Sequence, residues 1–162
     1  MFGIAEFIPL SDAKHSSVLA RICEFPRLVL EAEPSAAIFR IGVLPTAMPS
    51  LLKDLGEVAK HWHLELATLT RASGIVYAAF FAEEGNEISP VEAANAAKEV
   101  FRVCAKPEIN AQAMLEWCPA KLKPAVGDLW GPWRRDFELM HRVKSVFDPQ
   151  NVLSPGRFAS EI

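Results

Sequence analysis

The sequence predicts an α+β fold: an antiparallel sheet with helices on one face, ferredoxin-like in its β-α-β-β-α-β order, followed by a C-terminal helix and an extended tail. Three observations predict it. Apolar residues recur at helical spacing over 48–62 and 91–104. Four short runs rich in strand formers flank those two segments. Ser73-Gly74 between two of the runs is a turn signal that makes them a β-hairpin.

Residues 1–34 form a poorly defined N-terminal segment, and 35–162 form the domain. Phe2 to Leu10 reads as a short strand. Ser11 can cap a helix through Val18, Leu19, Ile22 and Cys23, which Pro26 stops. An apolar run over 27–33 is closed by Pro34. The first strand of the sheet is Ala36 to Leu44, ended by Pro45. A helix follows, with Pro49 in its first turn, where a missing N–H costs nothing. Met48, Leu51, Leu52, Leu55, Val58, Ala59 and Trp62 make its apolar stripe, and Lys53, Asp54, Glu57 and Lys60 its polar face. His63 to Arg71 and Ile75 to Phe81 are the hairpin strands. After a polar loop over 83–89, Ser89-Pro90-Val91-Glu92 starts the second helix with a capping box. Its buried face is Val91, Ala94, Ala97, Phe101 and Cys104. Ala111 to Trp117 is the fourth strand. The last helix should turn Trp133, Phe137, Met140, Val143 and Phe147 inward and end before Asp148-Pro149.

Composition narrows the function. Of 162 residues, 51% are hydrophobic and 23% charged, as in a globular chain. The net charge of −3 argues against nucleic-acid binding, which needs a basic surface. No segment is apolar for long enough to cross a bilayer, and the N-terminus lacks a signal peptide's pattern. A cytoplasmic location is expected, with attachment to the inner-membrane periphery open within a complex. Cys23, Cys104 and Cys118 are odd in number and widely spaced, so buried free thiols are expected rather than a zinc site.

The C-terminal motifs resemble those of a known family. Met140, Val143, Lys144, Phe147, Asp148, Pro149, Pro155, Gly156 and Arg157 match the closing helix and coda of the FAD-linked oxidases in the vanillyl-alcohol oxidase superfamily. Ser154 replaces the asparagine usual there. Glu116, Pro119, Leu122, Lys123, Asp128, Trp130, Gly131 and Pro132 look like the stretch before that helix in the FAD-binding E subunit of bacterial glycolate oxidase. Trp117 stands where an arginine is expected. The resemblance implies the C-terminal substrate or cap domain of an FAD-dependent 2-hydroxy-acid (glycolate-like) oxidase or dehydrogenase, whose flavin accepts a hydride from the substrate α-carbon. It implies FAD in the full-length protein, and as partners an N-terminal FAD-binding domain, a second flavin subunit and an iron–sulfur subunit.

The glycine-rich loop that would cradle a flavin pyrophosphate is not in this sequence. Apart from Gly127 and Gly131 the glycines are widely scattered. The FAD-binding domain is therefore expected to lie outside this chain, which should bind no FAD and be inactive alone. The rival reading is a stand-alone ferredoxin-like module that binds a small molecule or dimerises, without redox activity.

Candidate residues follow from the resemblance, in which the sheet face roofs the substrate. Arg71 and Arg40, on strands, suit a substrate carboxylate; a solvated hairpin end is the plainer reading of Arg71. Glu116 could orient substrate or hold a turn. His141 could reach a substrate or an interface, or be a surface histidine. Arg157 and Asn151 in the coda are the cofactor-side candidates, with a structural arginine as the alternative for Arg157. No metal site is expected, because His61 and His63 lack a third ligand.

Overall fold

The structure is a computed structural model that describes residues 11–83, 89–132 and 135–156. The proposed strand over Phe2 to Leu10, the center of the 83–89 loop, Trp133 and Arg157 fall outside the described residues. Two helices come first, α1 (Asp12–Cys23) and α2 (Phe25–Ala32). Then come β1 (Ala37–Gly42), α3 (Met48–His61), β2 (Leu64–Arg71), β3 (Ile75–Ala82), α4 (Pro90–Cys104) and β4 (Gln112–Trp117). A single-turn helix α5 (Lys123–Val126) and the last helix α6 (Arg135–Phe147) close the described chain.

The four strands form one sheet in the order β2-β3-β1-β4, and every neighbor is antiparallel. The ferredoxin-like order read from the sequence is therefore the order of the fold. Strand alternation sorts the side chains. Phe39, Ile41, Val76, Ala78, Phe80 and Leu115 face α3 and α4 in the main core. Two edge-to-face contacts knit it, Phe39 with Phe80 at 6.0 Å and Phe39 with Phe101 at 5.4 Å between ring centroids.

Local chemistry fixes the elements. The Ser89 hydroxyl accepts the Glu92 N–H at 3.2 Å, and the Glu92 carboxylate accepts the Ser89 N–H at 3.0 Å. This is the capping box that the sequence predicts. Two polar ties clamp α3 to the α4 side: Trp62 Nε1 donates to Glu99 at 2.6 Å, and Lys106 Nζ to Asp54 at 2.6 Å. In the hairpin, Gly74 has φ +83°, and a Cβ there would come within 2.3 Å of the Val43 carbonyl oxygen. Only glycine fits that approach.

Helices α3 and α4 of the β-α-β-β-α-β unit share one face, as expected. α2 adds a cover on the other, where Phe25, Val29 and Leu30 pack with Ile38, Ala79 and Tyr77. The apolar run before Pro34 is thus a helix whose stripe needs the sheet's second face. Three expectations need correction. Val91, read into the buried face of α4, sits in the first turn and is 65% exposed. Cys23 is exposed, because it ends a helix that packs weakly; Cys104 and Cys118 are buried as expected. Burial pushes the Cys104 thiol up to about 12. Finally, of the α6 residues expected inward, Phe137 is fully buried, but Met140, Val143 and Phe147 are 41%, 50% and 80% exposed. Nothing in the described chain covers that stripe.

Candidate functional site

The second face of the sheet is only half covered. α2 lies over the rows containing Ile38, Ala79 and Ala67. The rows toward the hairpin end are open except at Tyr77, which Phe25 of α2 meets. One row runs Leu69, Tyr77, Arg40, Met114 across the four strands, and the next runs Arg71, Ile75, Gly42, Gln112. A cleft of about 330 Å³ opens there, walled by Arg40, Ile75, Gln112 and Met114 from the sheet, and by Trp130, Asp136 and Met140 from the segment beyond it. Gly42 on its floor removes a side chain that would fill it.

The structure places Arg40 and Arg71 on this same face. Strand spacing sets their Cα atoms roughly 12 Å apart. Tyr77 lies between them and is the chain's one tyrosine. The Arg71 guanidinium stands over its ring, 5.5 Å from the centroid. The Arg71 Nε is buried and has no hydrogen-bond partner among the described residues. Arg40 is exposed and lines the cleft; Arg71 does not. Tyr77 stands opposite Arg40 in register but packs on Phe25 of α2, 6.2 Å between ring centroids, and does not wall the cleft.

The other candidates scatter. Glu116 is exposed at an irregularity of β4, where the register against β1 shifts between Ile38 and Phe39. It lies beyond the cleft. His141 is exposed on α6, next to the cleft-lining Met140. Asn151 has φ +50° and donates its N–H to the Asp148 carbonyl, so its place is a left-handed turn. Arg157 lies outside the described residues. His61 and His63 are exposed. Among the described residues no group of three or more His, Cys, Asp or Glu could hold a metal, and no helix is long and apolar enough to cross a membrane.

The coda after α6 is organized by one carboxylate. Asp148 is buried and pairs with Lys144 one turn before it. Its oxygens also accept the N–H groups of Val152 and Leu153, each at 2.9 Å. Lys144 Nζ in turn donates to the Leu153 carbonyl at 2.6 Å. The Lys144 hydrogen bond and then the backbone donors hold the Asp148 carboxyl below the usual carboxylate range, against the opposing effect of burial. This explains why lysine and aspartate stand four apart before the coda. The clamp presents Val152 and Leu153 outward, 68% and 63% exposed, beside the bare stripe of Leu139, Val143, Val146 and Phe147 on α6. Ser154 has φ +50°. A left-handed backbone at that position accounts for the asparagine the resemblance leads one to expect, since asparagine tolerates it best after glycine.

The described residues make no cradle for a flavin. The glycines are dispersed. Of the clefts, the one at Arg40 is an open groove, and another of about 350 Å³ lies outside α4 between Lys98, Arg102 and Asp128. Neither presents successive free N–H groups to a pyrophosphate.

Comparison with known families returns one match: the FAD linked oxidases, C-terminal domain, over residues 130–158. That span holds α6, the Asp148 clamp and the coda. It supports an FAD-linked oxidase C-terminal domain, with FAD and an N-terminal FAD-binding domain as the counterparts such a domain has. Searches of curated proteins and of solved structures return no match.

Proposed function

We propose that this chain is the substrate-side domain of an FAD-dependent oxidoreductase acting on a glycolate-like 2-hydroxy acid. Its α6 stripe and coda dock on a flavin-binding domain, and the Arg40 cleft closes over the substrate. One observation carries the reading: the segment that matches the oxidase family is also the segment whose apolar side chains lack a cover among the described residues. Exposed apolar surface of that extent marks an interface. The cleft lies beside it, since Met140 belongs to the cleft and to the same helix.

The flavin, held elsewhere, would take the hydride; no residue described here handles it. What this chain contributes is binding. Arg40 presents a guanidinium able to take a carboxylate bidentately. A small acid fixed in this way would be held in one orientation, and the docked domain would exclude water.

The test is co-expression with a flavin domain of the FAD-linked oxidase type, followed by gel filtration and flavin reduction by 2-hydroxy acids. Co-elution with flavin absorbance is expected. Arg40→Ala should raise the KM for the acid roughly 10–100-fold, the loss of a hydrogen bond to a charged group, with Arg40→Lys between it and the native chain. Failure to co-elute, or an Arg40→Ala enzyme with an unchanged KM, sinks the reading.

A further inference from the structure

The two edges of the sheet are treated differently. At the β4 edge, Leu115 N–H donates outward to the Leu129 carbonyl at 2.7 Å, so the 122–130 segment covers it. At the β2 edge, no backbone or side-chain bond to the outer side of 64–70 exists among the described residues. β2 is eight residues long, pairs with β3 in unbroken register, and contains neither proline nor lysine. It has no bulge, proline or lysine to block pairing, and its two charges, Glu65 and Arg71, are of opposite sign.

The edge is also self-complementary. The Arg71 carbonyl accepts the Gly74 N–H inside the hairpin, so Arg71 and its alternates turn their ladder groups toward β3. Leu66, Thr68 and Thr70 therefore turn theirs outward. An antiparallel copy centered on Thr68 pairs these groups and sets Leu66 opposite Thr70. In the same register Glu65 of each copy falls opposite Arg71 of the other. Both lie on the half-open face, in the closely spaced non-hydrogen-bonded pairs of the ladder. Glu65 is exposed and has no ion-pair partner among the described residues, and the buried Arg71 Nε lacks an acceptor. Shifting the register by two residues would instead put Glu65 opposite Leu69 and Arg71 opposite His63.

We propose that β2 pairs with β2 of a second copy of this chain about a two-fold axis at Thr68, joining two four-stranded sheets into one of eight strands, with reciprocal Glu65–Arg71 pairs setting the register. The pairing uses the edge and leaves both the Arg40 cleft and the α6 stripe free, so it stands whether or not a flavin domain binds.

Charge reversal tests it on the full chain by sedimentation velocity across a concentration series. The native chain should dimerize. Glu65→Arg, at an exposed side chain that the monomer fold does not use, should weaken the dimer roughly tenfold or more, because two attractive pairs become repulsive. Arg71→Glu should do the same. The double variant E65R/R71E should dimerize again, and an equimolar mixture of the two single variants should form a heterodimer. A native chain that stays monomeric overturns the proposal, as does a dimer indifferent to Glu65→Arg. A double variant no tighter than the singles rejects the Glu65–Arg71 register.

Discussion

Helices α4 and α6 are fifteen and thirteen residues long, and each carries an apolar stripe. α4 buries its own from Ala94 on: Ala94, Ala97, Val100, Phe101 and Cys104 are all under a tenth exposed, and only Val91 in the first turn is left out. On α6 the stripe at 139, 143 and 146, with Met140 and Phe147 beside it, faces solvent, and Phe147 is 80% exposed. Periodicity in a sequence says that a helix has a face to bury. It does not say what buries it. For α4 the cover is the sheet of the same chain. For α6, among the described residues, only Phe137 finds the core, and the coda adds Val152 and Leu153 to the uncovered surface instead of hiding it. The helix with its cover in place belongs to the fold, and the one without is the surface proposed to dock a flavin domain.

Phenylalanine truncations on the two helices should separate these roles most sharply. Phe101→Ala removes a buried ring that packs edge-to-face on Phe39, and should cost about 3–5 kcal/mol in a urea melt. Phe147→Ala should change the same melt by less than about 0.5 kcal/mol, as at a surface position. In the docking assay the order inverts. Phe147→Ala should weaken binding of the flavin domain roughly tenfold or more, as loss of an aromatic anchor does. If Phe147→Ala destabilized the isolated chain as Phe101→Ala does, the stripe would have a cover within the chain and the comparison would collapse.

Much of this was legible in the sequence, and the misses share a cause. The sheet order followed from alternation, the hairpin from Ser73-Gly74, and α4 from Ser89-Pro90-Val91-Glu92, because each signal is local. Arg40 and Arg71 could be placed on strands, but that they share a face follows only from the registers of β1 on β3 and of β3 on β2. What could not be read is where elements lie across the sheet. Nothing in Phe25 to Ala32 states that this run covers the second face, and nothing in β4 announces the register shift opposite Ile38. That Tyr77 stands opposite Arg40 shows only in the cross-strand register. The apolar stripe of α6 does not state whether its cover lies in the same chain.

The Asp148 clamp should give an intermediate effect, confined to the α6 side. Its folded carboxyl titrates below the ordinary range. The unfolded chain therefore binds the proton first as pH falls, and in that window stability rises with pH. The clamp's contribution is complete above the unfolded carboxylate pKa of about 4 and is lost as pH drops below it through the lower folded value. Asp148→Asn should speed amide hydrogen exchange at Val152 and Leu153, whose N–H groups the carboxylate accepts. It should also remove the acid-dependent part of that exchange and leave α4 amides unchanged. Protection at 152 and 153, relative to the intrinsic exchange rate at each pH, that is unaltered from pH 7 to pH 3 would show that the carboxylate does not organize the coda.

The smallest effect, and the finest cut at the same region, concerns Ser154. Its φ of +50° is one that a β-carbon resists, and asparagine relieves part of the strain by bonding locally. Ser154→Asn should stabilize the coda by a few tenths to about 1 kcal/mol, read as slower exchange over 152–156. Ser154→Gly frees the backbone without adding an amide. If both variants bind the flavin domain equally tightly, the asparagine of the resemblance answers a backbone demand. If only Ser154→Asn tightens binding, the side chain itself reaches across the interface, and the coda takes part in recognition as well as in shaping the stripe beside it.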